Sequence, residues 1–293
     1  MKKLNFKKIL LLLSGLLSSI LIFGCEDPIP SDYIERKFVE AYLIVDQPIR
    51  NIILMNTQPV NKKFDYSYSL IRNADVKIIG DGREFILSID TSGEQGYFYP
   101  DTNYLVKPNT VYRIEIKIPG LGDSKLITAE TKTPPRFNYL KTLDTLYYPK
   151  DTVKLPALDS FKLEWEKVDS VNFFILNLKC IDTIEYGKYL TPRTEEKNRR
   201  IERPWNEDWM FKEQSNSGFI PNTKTAVVWL SFKWYGRHEV SIFAPDANYL
   251  NWFLQNTIKN QDDPLLGSVK NAIGVFGSSS VVRDTFFLVK NQP

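Results

Sequence analysis

The chain has 293 residues, of which 43% are hydrophobic, 25% are charged and two are cysteines. This hydrophobic content is enough to fill the cores of folded domains and excludes a mainly disordered chain. The formal net charge of +3 gives no electrostatic indication of nucleic-acid binding.

The N-terminus has the features of a bacterial lipoprotein leader. Four lysines precede a 15-residue apolar stretch at 9–23, which is shorter than the ~20 residues of a membrane-spanning helix. The motif IFGC, which ends at Cys25, resembles a lipobox, in which the cysteine thiol receives diacylglycerol. We therefore predict a signal peptide at 1–24 and lipidation of Cys25. In the alternative, the leader is an uncleaved anchor and Cys25 is incidental.

Removal of the leader changes the length and charge of the protein. The leader holds four lysines and no acidic residue, so the mature chain has 269 residues, with 34 basic and 35 acidic ones. That length is enough for two domains of ordinary size. A lipidated tether is predicted at 25–37, and its acidic pair after the cysteine resembles a surface-export signal.

Alternation of apolar and polar residues dominates the next hundred residues and predicts strands. The Asp81-Gly82 pair predicts a tight hairpin turn, because these residue types tolerate positive φ angles. Tyr112, in KPNTVYRIEI, resembles the tyrosine of a tyrosine corner. We predict an N-terminal Ig-like β-sandwich at 38–133. Its predicted strands, separated by a loop at 61–70, lie at 37–45, 50–60, 74–80, 83–90, 96–100, 105–120 and 124–134.

A proline pair in TKTPPRF predicts a domain boundary near residue 134, because proline resists both helix and central strand. The segment 161–182 resembles the B and C strands of a fibronectin type III module, with Trp165 in its core. Two strands are predicted at 225–246, a helix at 247–261 and closing strands at 274–290. The whole prediction is an all-β chain of two tandem Ig-like/fibronectin type III-like β-sandwich domains, the second at 134–293, with one helical insertion near the C-terminal end.

The segment 183–224 interrupts the second predicted sandwich and is too long for an ordinary connection. Tryptophan and arginine are enriched at binding hot spots, which makes this segment a candidate partner-binding site. In two alternatives, its tryptophans fold back onto their own sandwich or stack on a sugar. The candidate residues are Arg199, Arg200, Arg203, Trp205 and Trp209.

Several motifs resemble a Bacteroidetes outer-membrane lipoprotein family, catalogued as domain of unknown function number 4249. They are CEDPIP after the lipobox, VEAYL, KPNTVYRIEI, ITAETKTPP, EVSIFAPDANYLNWFL and SVKNAIGVFGSSS. The resemblance implies a tethered outer-membrane protein with β-sandwich domains, often associated with TonB-dependent transporter systems. It implies no catalytic residues.

Catalytic and metal-binding signatures are scarce. His238 is the single histidine, which excludes sites built on two or three histidines; we expect it at a turn or sheet edge. Cys180 shares an apolar strand face and is expected to be buried. Glu164 and Glu166 share another face, either as a glycosidase pair or, as we expect, as solvated side chains.

Weaker metal candidates are Asp246 and the Asp262-Asp263 pair, but their spacing is not that of an EF-hand. We predict no metal site and no cofactor.

Together these features predict a non-enzymatic, lipid-anchored outer-membrane protein that faces the cell surface. Its predicted partners are the bilayer, through lipidated Cys25, and an outer-membrane β-barrel, such as a TonB-dependent transporter or a larger assembly or secretion complex. The alternative is a carbohydrate- or ligand-binding surface lipoprotein. A third possibility, an enzyme, would depend on Glu164 or Glu166.

Overall fold

A computed structural model of the protein describes residues 33–59, 61–90, 96–120, 125–151, 154–155, 162–182, 200–201, 215–257 and 267–290. The chain divides into two compact units, Met1–Glu35 with Gln58–Asp65, and Arg36–Thr57 with Tyr66–Pro293. In the first unit, the Gln58 side chain donates a hydrogen bond to the Asp65 carbonyl oxygen and accepts one from the Asp65 N–H. The strands and helices named below lie in the second unit.

The described residues form mostly β-structure, which confirms the predicted all-β class. Among the described residues, the α-helices are α1 (Tyr66–Ser69) and α2 (Ala247–Thr257), and a 3-10 turn spans Trp229–Ser231. The strands are β1 (Lys37–Ile44), β2 (Ile53–Asn56), β3 (Asp75–Gly80), β4 (Arg83–Ile86), β5 (Ser88–Ile89), β6 (Tyr97–Phe98), β7 (Val111–Lys117), β8 (Ile127–Lys132), β9 (Tyr139–Lys141), β10 (Thr145–Tyr147), β11 (Lys162–Trp165), β12 (Phe174–Cys180), β13 (Ser215–Ile220), β14 (Lys224–Ala226), β15 (Gly236–Pro245) and β16 (Ile273–Val289).

The first β-sandwich encloses one hydrophobic core. Its sheets are β4-β3-β7-β8 and the set formed by β2, β1 and the first half of β16. Every second side chain of β1 and β7 points into this core, because successive residues of a strand face opposite ways. The core residues on these two strands are Val39, Ala41, Leu43, Tyr112, Ile114 and Ile116.

The second β-sandwich encloses a separate core. One sheet contains β13, β12, β15, the second half of β16 and β10, and the other has the order β14-β11-β9. Trp165 is buried in this core, as predicted, with 1% of its surface exposed. Cys180 is also buried, as predicted. The prediction of two sandwiches is confirmed.

Strand β16 belongs to both sandwiches. Residues 273–279 pair in parallel with β1, and residues 279–288 pair antiparallel with β15. Phe276 accordingly lies in the first core, and Phe286 lies in the second. The structure thus differs from the predicted division into 38–133 and 134–293, because the C-terminal strand completes the N-terminal sandwich. The backbone N–H and C=O groups of β16 need hydrogen-bonding partners, and the edge of β1, although distant in sequence, supplies them.

The predicted insertion 183–224 is too long at its C-terminal end. Residues 215–220 form β13, which pairs antiparallel with β12 along its whole length. Sequence alternation missed this strand because SNSGFI contains two large apolar residues at adjacent positions, 219 and 220. Strand β13 extends the sheet beyond β12, whose Phe174 and Leu178 face the second core.

Helix α2 confirms the predicted helix near the C-terminal end, and the last predicted residues, 258–261, lie outside the described residues. The helix packs on the outer face of β1. The rings of Tyr42 and Tyr249 are 4.4 Å apart, and those of Phe38 and Trp252 are 5.9 Å apart. This burial is the main cause that raises the pKa of the Tyr249 phenol.

Two local predictions in the first sandwich are confirmed. Asp81 and Gly82, with φ angles of 51° and 69°, form the β3–β4 turn. The Tyr112 hydroxyl accepts a 2.9 Å hydrogen bond from the Lys107 N–H, as in a tyrosine corner, and lies 2.8 Å from the Tyr104 hydroxyl. The predicted loop at 61–70 contains the single-turn helix α1.

Candidate functional site

Most of the predicted site residues lie outside the described residues: Cys25, Arg199, Arg203, Trp205 and Trp209. Arg200 is described and forms an isolated β-bridge with Trp234. Its neighbour Ile201 donates a backbone hydrogen bond to the Lys233 carbonyl oxygen and is fully buried in the second core. The described part of this segment therefore packs on its own sandwich.

The second sandwich contains an apolar cavity of about 180 Å³ between its two sheets. Val240 and Phe286, from β15 and β16, lie on one side, and Leu163, from β11, lies on the other. Strands β13 and β14 also line the cavity. Each is the last strand of its sheet within the described chain. Val228, which is 42% exposed, lines the cavity next to solvent.

Gly218 lines this space without filling it, and its backbone is exposed. It pairs with Leu176, which packs against the second core, so position 218 also faces inward. A Cβ atom built at Gly218 meets no other atom within 4 Å. The strand therefore presents bare backbone to the cavity where an alternating strand normally places an apolar side chain. A glycine between two strand residues was the sequence signal that could have indicated this site.

Among the described residues, the cavity wall offers no acid, base or metal ligand. The described lining residues are leucine, isoleucine, valine, alanine and phenylalanine, with Gly218, Thr225, Ser231 and Ser217. The Ser217 hydroxyl itself lies on the opposite face of β13, where it accepts a hydrogen bond from Asn177. An apolar wall of this kind favours apolar groups over polar ones. The arrangement can hold a hydrophobic group, but it cannot transfer a proton.

His238 is not at a turn or edge, so that prediction was wrong. It lies on β15, is 2% exposed, and stacks on Phe286 with ring centroids 5.5 Å apart. Its Nδ1 lies 2.9 Å from the Gly236 carbonyl oxygen, an acceptor, so Nδ1 carries a proton. Cys180 is its direct partner on β12 and is equally buried. Substrate has no access to this pair, which packs as part of the core.

The two glutamates of the alternative glycosidase pair are engaged in the structure of the second sandwich. Glu166 accepts hydrogen bonds from the N–H and the side-chain amide of Asn138, at 2.8 and 3.1 Å. Glu164 lies opposite Lys141 and Lys224 on the two neighbouring strands. These positions make the carboxylates part of the sheet surface, with no enclosing cleft among the cavities described here.

Asp246 is held by protein donors. Its Oδ1 accepts hydrogen bonds from the N–H groups of Tyr249 and Ser278, at 2.9 and 3.0 Å, and its Oδ2 accepts one from the Thr131 hydroxyl. Burial raises its pKa, although these hydrogen bonds act in the opposite direction. The described residues contain no group of three His, Cys, Asp or Glu side chains suited to a metal ion. Asp262 and Asp263 lie outside the described residues.

Comparisons with known proteins add little to this geometry. No family model and no curated protein matches the chain. Among solved structures, it is similar to a two-domain fibronectin type III segment from chicken tenascin, at 12% identity and a TM-score of 0.22, over 87% of this chain and 99% of that one. The fold assignment therefore depends on the strand pairings above. In the described parts of the chain, none of the helices has the length and apolar character to cross a bilayer.

Proposed function

We propose that the protein is a non-enzymatic, lipid-anchored outer-membrane accessory protein at the cell surface, which docks onto an outer-membrane β-barrel. The barrel is a TonB-dependent transporter or part of a larger assembly or secretion complex. The anchor is the acylated Cys25, since several acyl chains on one N-terminus hold a protein stably at a bilayer.

The apolar cavity at the open side of the second sandwich is the observation that favours docking. Val228, which lines the cavity, is 42% exposed, and Leu230, two residues further along the chain, is 57% exposed. Apolar surface beside a cavity is typical of protein interaction sites. The buried His238 and the engaged Glu166 favour a role without catalysis.

Lipidation is tested by intact-mass measurement of the protein extracted from cells. We expect loss of residues 1–24 and the added mass of the lipid at Cys25, and a Cys25→Ser variant should lack that lipid and leave the membrane fraction. An unprocessed, lipid-free chain would rule out the anchor.

Docking is tested by extraction in mild detergent followed by pull-down and mass spectrometry. We expect a β-barrel protein to co-purify in stoichiometric amounts, and protease treatment of intact cells to degrade the mature chain. Recovery of the protein alone under several gentle conditions would contradict docking, and resistance to protease on intact cells would place it inside the envelope.

The second candidate function is binding of a ligand in the apolar cavity of the second sandwich, and the presence of this cavity is the observation that favours it. Its wall is apolar, so it suits a hydrophobic group better than a carbohydrate. Tryptophan fluorescence titration against a glycan panel tests the carbohydrate version, with Trp205→Ala and Trp209→Ala as variants. A saturable change that both variants abolish would favour sugar binding over docking.

A further inference from the structure

The cavity has the size of a single side chain. At about 180 Å³ it is smaller than the ~300–1,000 Å³ of ordinary small-molecule pockets. It is close to the ~150 Å³ of an engineered apolar cavity that binds benzene. One aromatic or branched aliphatic side chain fills such a space.

Strand β13, beside the cavity, is an open edge in the described structure. It pairs with β12 on one side and has no second strand partner among the described residues. Its sequence, SNSGFI, contains neither a charged residue nor a proline. Proteins usually protect sheet edges with charges, prolines, bulges or covering segments, because a bare edge invites another strand.

The other edge strands of four or more residues are protected. Strands β4 and β8 each carry an acidic and a basic residue. Strand β2 is bridged on its outer side, where Met55 pairs with Leu70. The uncharged edge and the apolar cavity thus coincide at one strand, β13, whose exposed Gly218 lines the cavity.

We infer that β13 is a strand-addition site for an extended segment of a partner protein, with an apolar side chain of that segment seated in the cavity beside Gly218. The backbone of the segment pairs with β13, and its alternate side chains face the two sides of the sheet, as in other cases of β-strand addition. The segment is uncharged where it meets the cavity, because the described residues of the cavity wall include no group to pair with a charge. The inference rests on the proposed docking function and specifies how docking is made.

The test is photo-crosslinking in intact cells with the full-length chain carrying p-benzoylphenylalanine at position 228, followed by identification of the crosslinked peptide. We expect a crosslink to one segment of another envelope protein, with apolar residues at alternate positions. Gly218→Leu fills the cavity and should reduce the crosslink at least about tenfold, since hot-spot anchors carry most of the affinity. Gly218→Ala, a smaller change, should reduce it less.

The matched control is Ser217→Leu, which adds the same side chain on the opposite face of β13, where the Ser217 hydroxyl accepts a hydrogen bond from Asn177. It should leave the crosslink within about twofold of the parent, because it does not enter the cavity. In the purified complex, amide hydrogen exchange at 215–220 should slow about tenfold or more.

The inference is overturned if the crosslink forms within residues 183–214 of this chain, if it forms to lipid alone, if none forms, or if Gly218→Leu leaves it unchanged. The proposed function fails separately. A barrel that co-purifies equally with parent and Gly218→Leu contradicts strand addition but keeps docking, whereas a Gly218-dependent crosslink to a protein other than a barrel keeps strand addition and contradicts barrel docking.

Discussion

The hydroxyl group of Thr131, on β8, donates a 2.5 Å hydrogen bond to Oδ2 of Asp246, the residue that precedes α2. The two residues are 115 positions apart. Asp246 also accepts the N–H of Ser278, on β16, so its carboxylate joins three elements. Because β8 belongs to the first sandwich and β15 leads from the second into Asp246, this carboxylate connects the two sandwiches.

Asp246→Ala should lower the free energy of unfolding by about 2–4 kcal/mol, because it leaves buried donors without an acceptor and removes a helix cap. Asp246→Asn should cost less, since its remaining carbonyl oxygen still accepts the backbone N–H groups. Urea unfolding monitored by circular dichroism measures both. Asp169→Asn, at an exposed pair with Lys167, is the control and should change stability by less than about 0.5 kcal/mol. Equal costs for the alanine and asparagine variants would contradict this role of the carboxylate.

Asp46 and Asp246 should show opposite pH dependences. Hydrogen bonds from Arg136 lower the pKa of Asp46 below its ordinary 3.8, against a smaller opposing effect of burial. Its contribution to stability is therefore present above pH 3.8 and is lost as pH falls through the lower pKa of the folded state. Since the ion pair is largely exposed, the effect should be smaller than that of Asp246.

For Asp246, burial raises the pKa above 3.8. The folded state then holds the proton of this carboxyl group more tightly than the unfolded state does. The stabilisation that the protonated carboxyl contributes is therefore present below pH 3.8 and is lost as pH rises through the raised pKa. Chemical unfolding at a series of pH values measures both effects. The stability difference between parent and Asp46→Asn should shrink with acidification, whereas the advantage of parent over Asp246→Asn should shrink as pH rises. If both stability differences changed in the same direction with pH, the opposite pKa shifts of Asp46 and Asp246 would be contradicted.

Gly218→Leu should raise the free energy of unfolding of the isolated protein by about 1–2 kcal/mol. The new side chain enters an apolar cavity, and glycine loses more chain entropy on folding than leucine does. Differential scanning calorimetry of the mature chain, with Ser217→Leu as control, measures the effect. A loss of stability with Gly218→Leu and none with Ser217→Leu would show that position 218 does not face open space.

Gly274→Ala should have the opposite effect and cost at least about 2 kcal/mol. Gly274 has a φ of +121°, and a Cβ atom there would lie 1.9 Å from the Val39 carbonyl oxygen on β1. Gly218→Ala is the matched control, since its Cβ meets nothing within 4 Å. Thermal unfolding of both variants measures the contrast, and equal stability would contradict the close approach of β16 to β1.

Local features of the chain were predictable because they depend on neighbouring residues. The alternation around Tyr112 defined β7, and the Asp81-Gly82 pair defined the turn between β3 and β4. The apolar and polar faces of 247–257 defined α2. In each case the physical cause, side-chain periodicity or a permitted φ angle, acts within a few residues.

The candidate site was not predictable in the same way. The sequence drew attention to Trp205 and Trp209, which lie outside the described residues, whereas the cavity depends on Gly218 and on residues from five other strands. A glycine in SNSGFI indicates an unfilled position only when β12 is known to be its partner. His238 was misjudged for the same reason, because its burial comes from Phe232 and Phe286 on distant segments.

The sequence alone determined the class of secondary structure and the number of sandwiches, whereas the leader and lipidation of Cys25 stay predictions. The tertiary structure decided which strands meet: that β16 completes the sheet of β1 before it pairs with β15, and that, among the described strands, β13 lies at an edge beside an apolar cavity. The physical reason is that a strand's periodicity is local, whereas its hydrogen-bonding partners are selected among all available edges by packing between residues far apart in the chain.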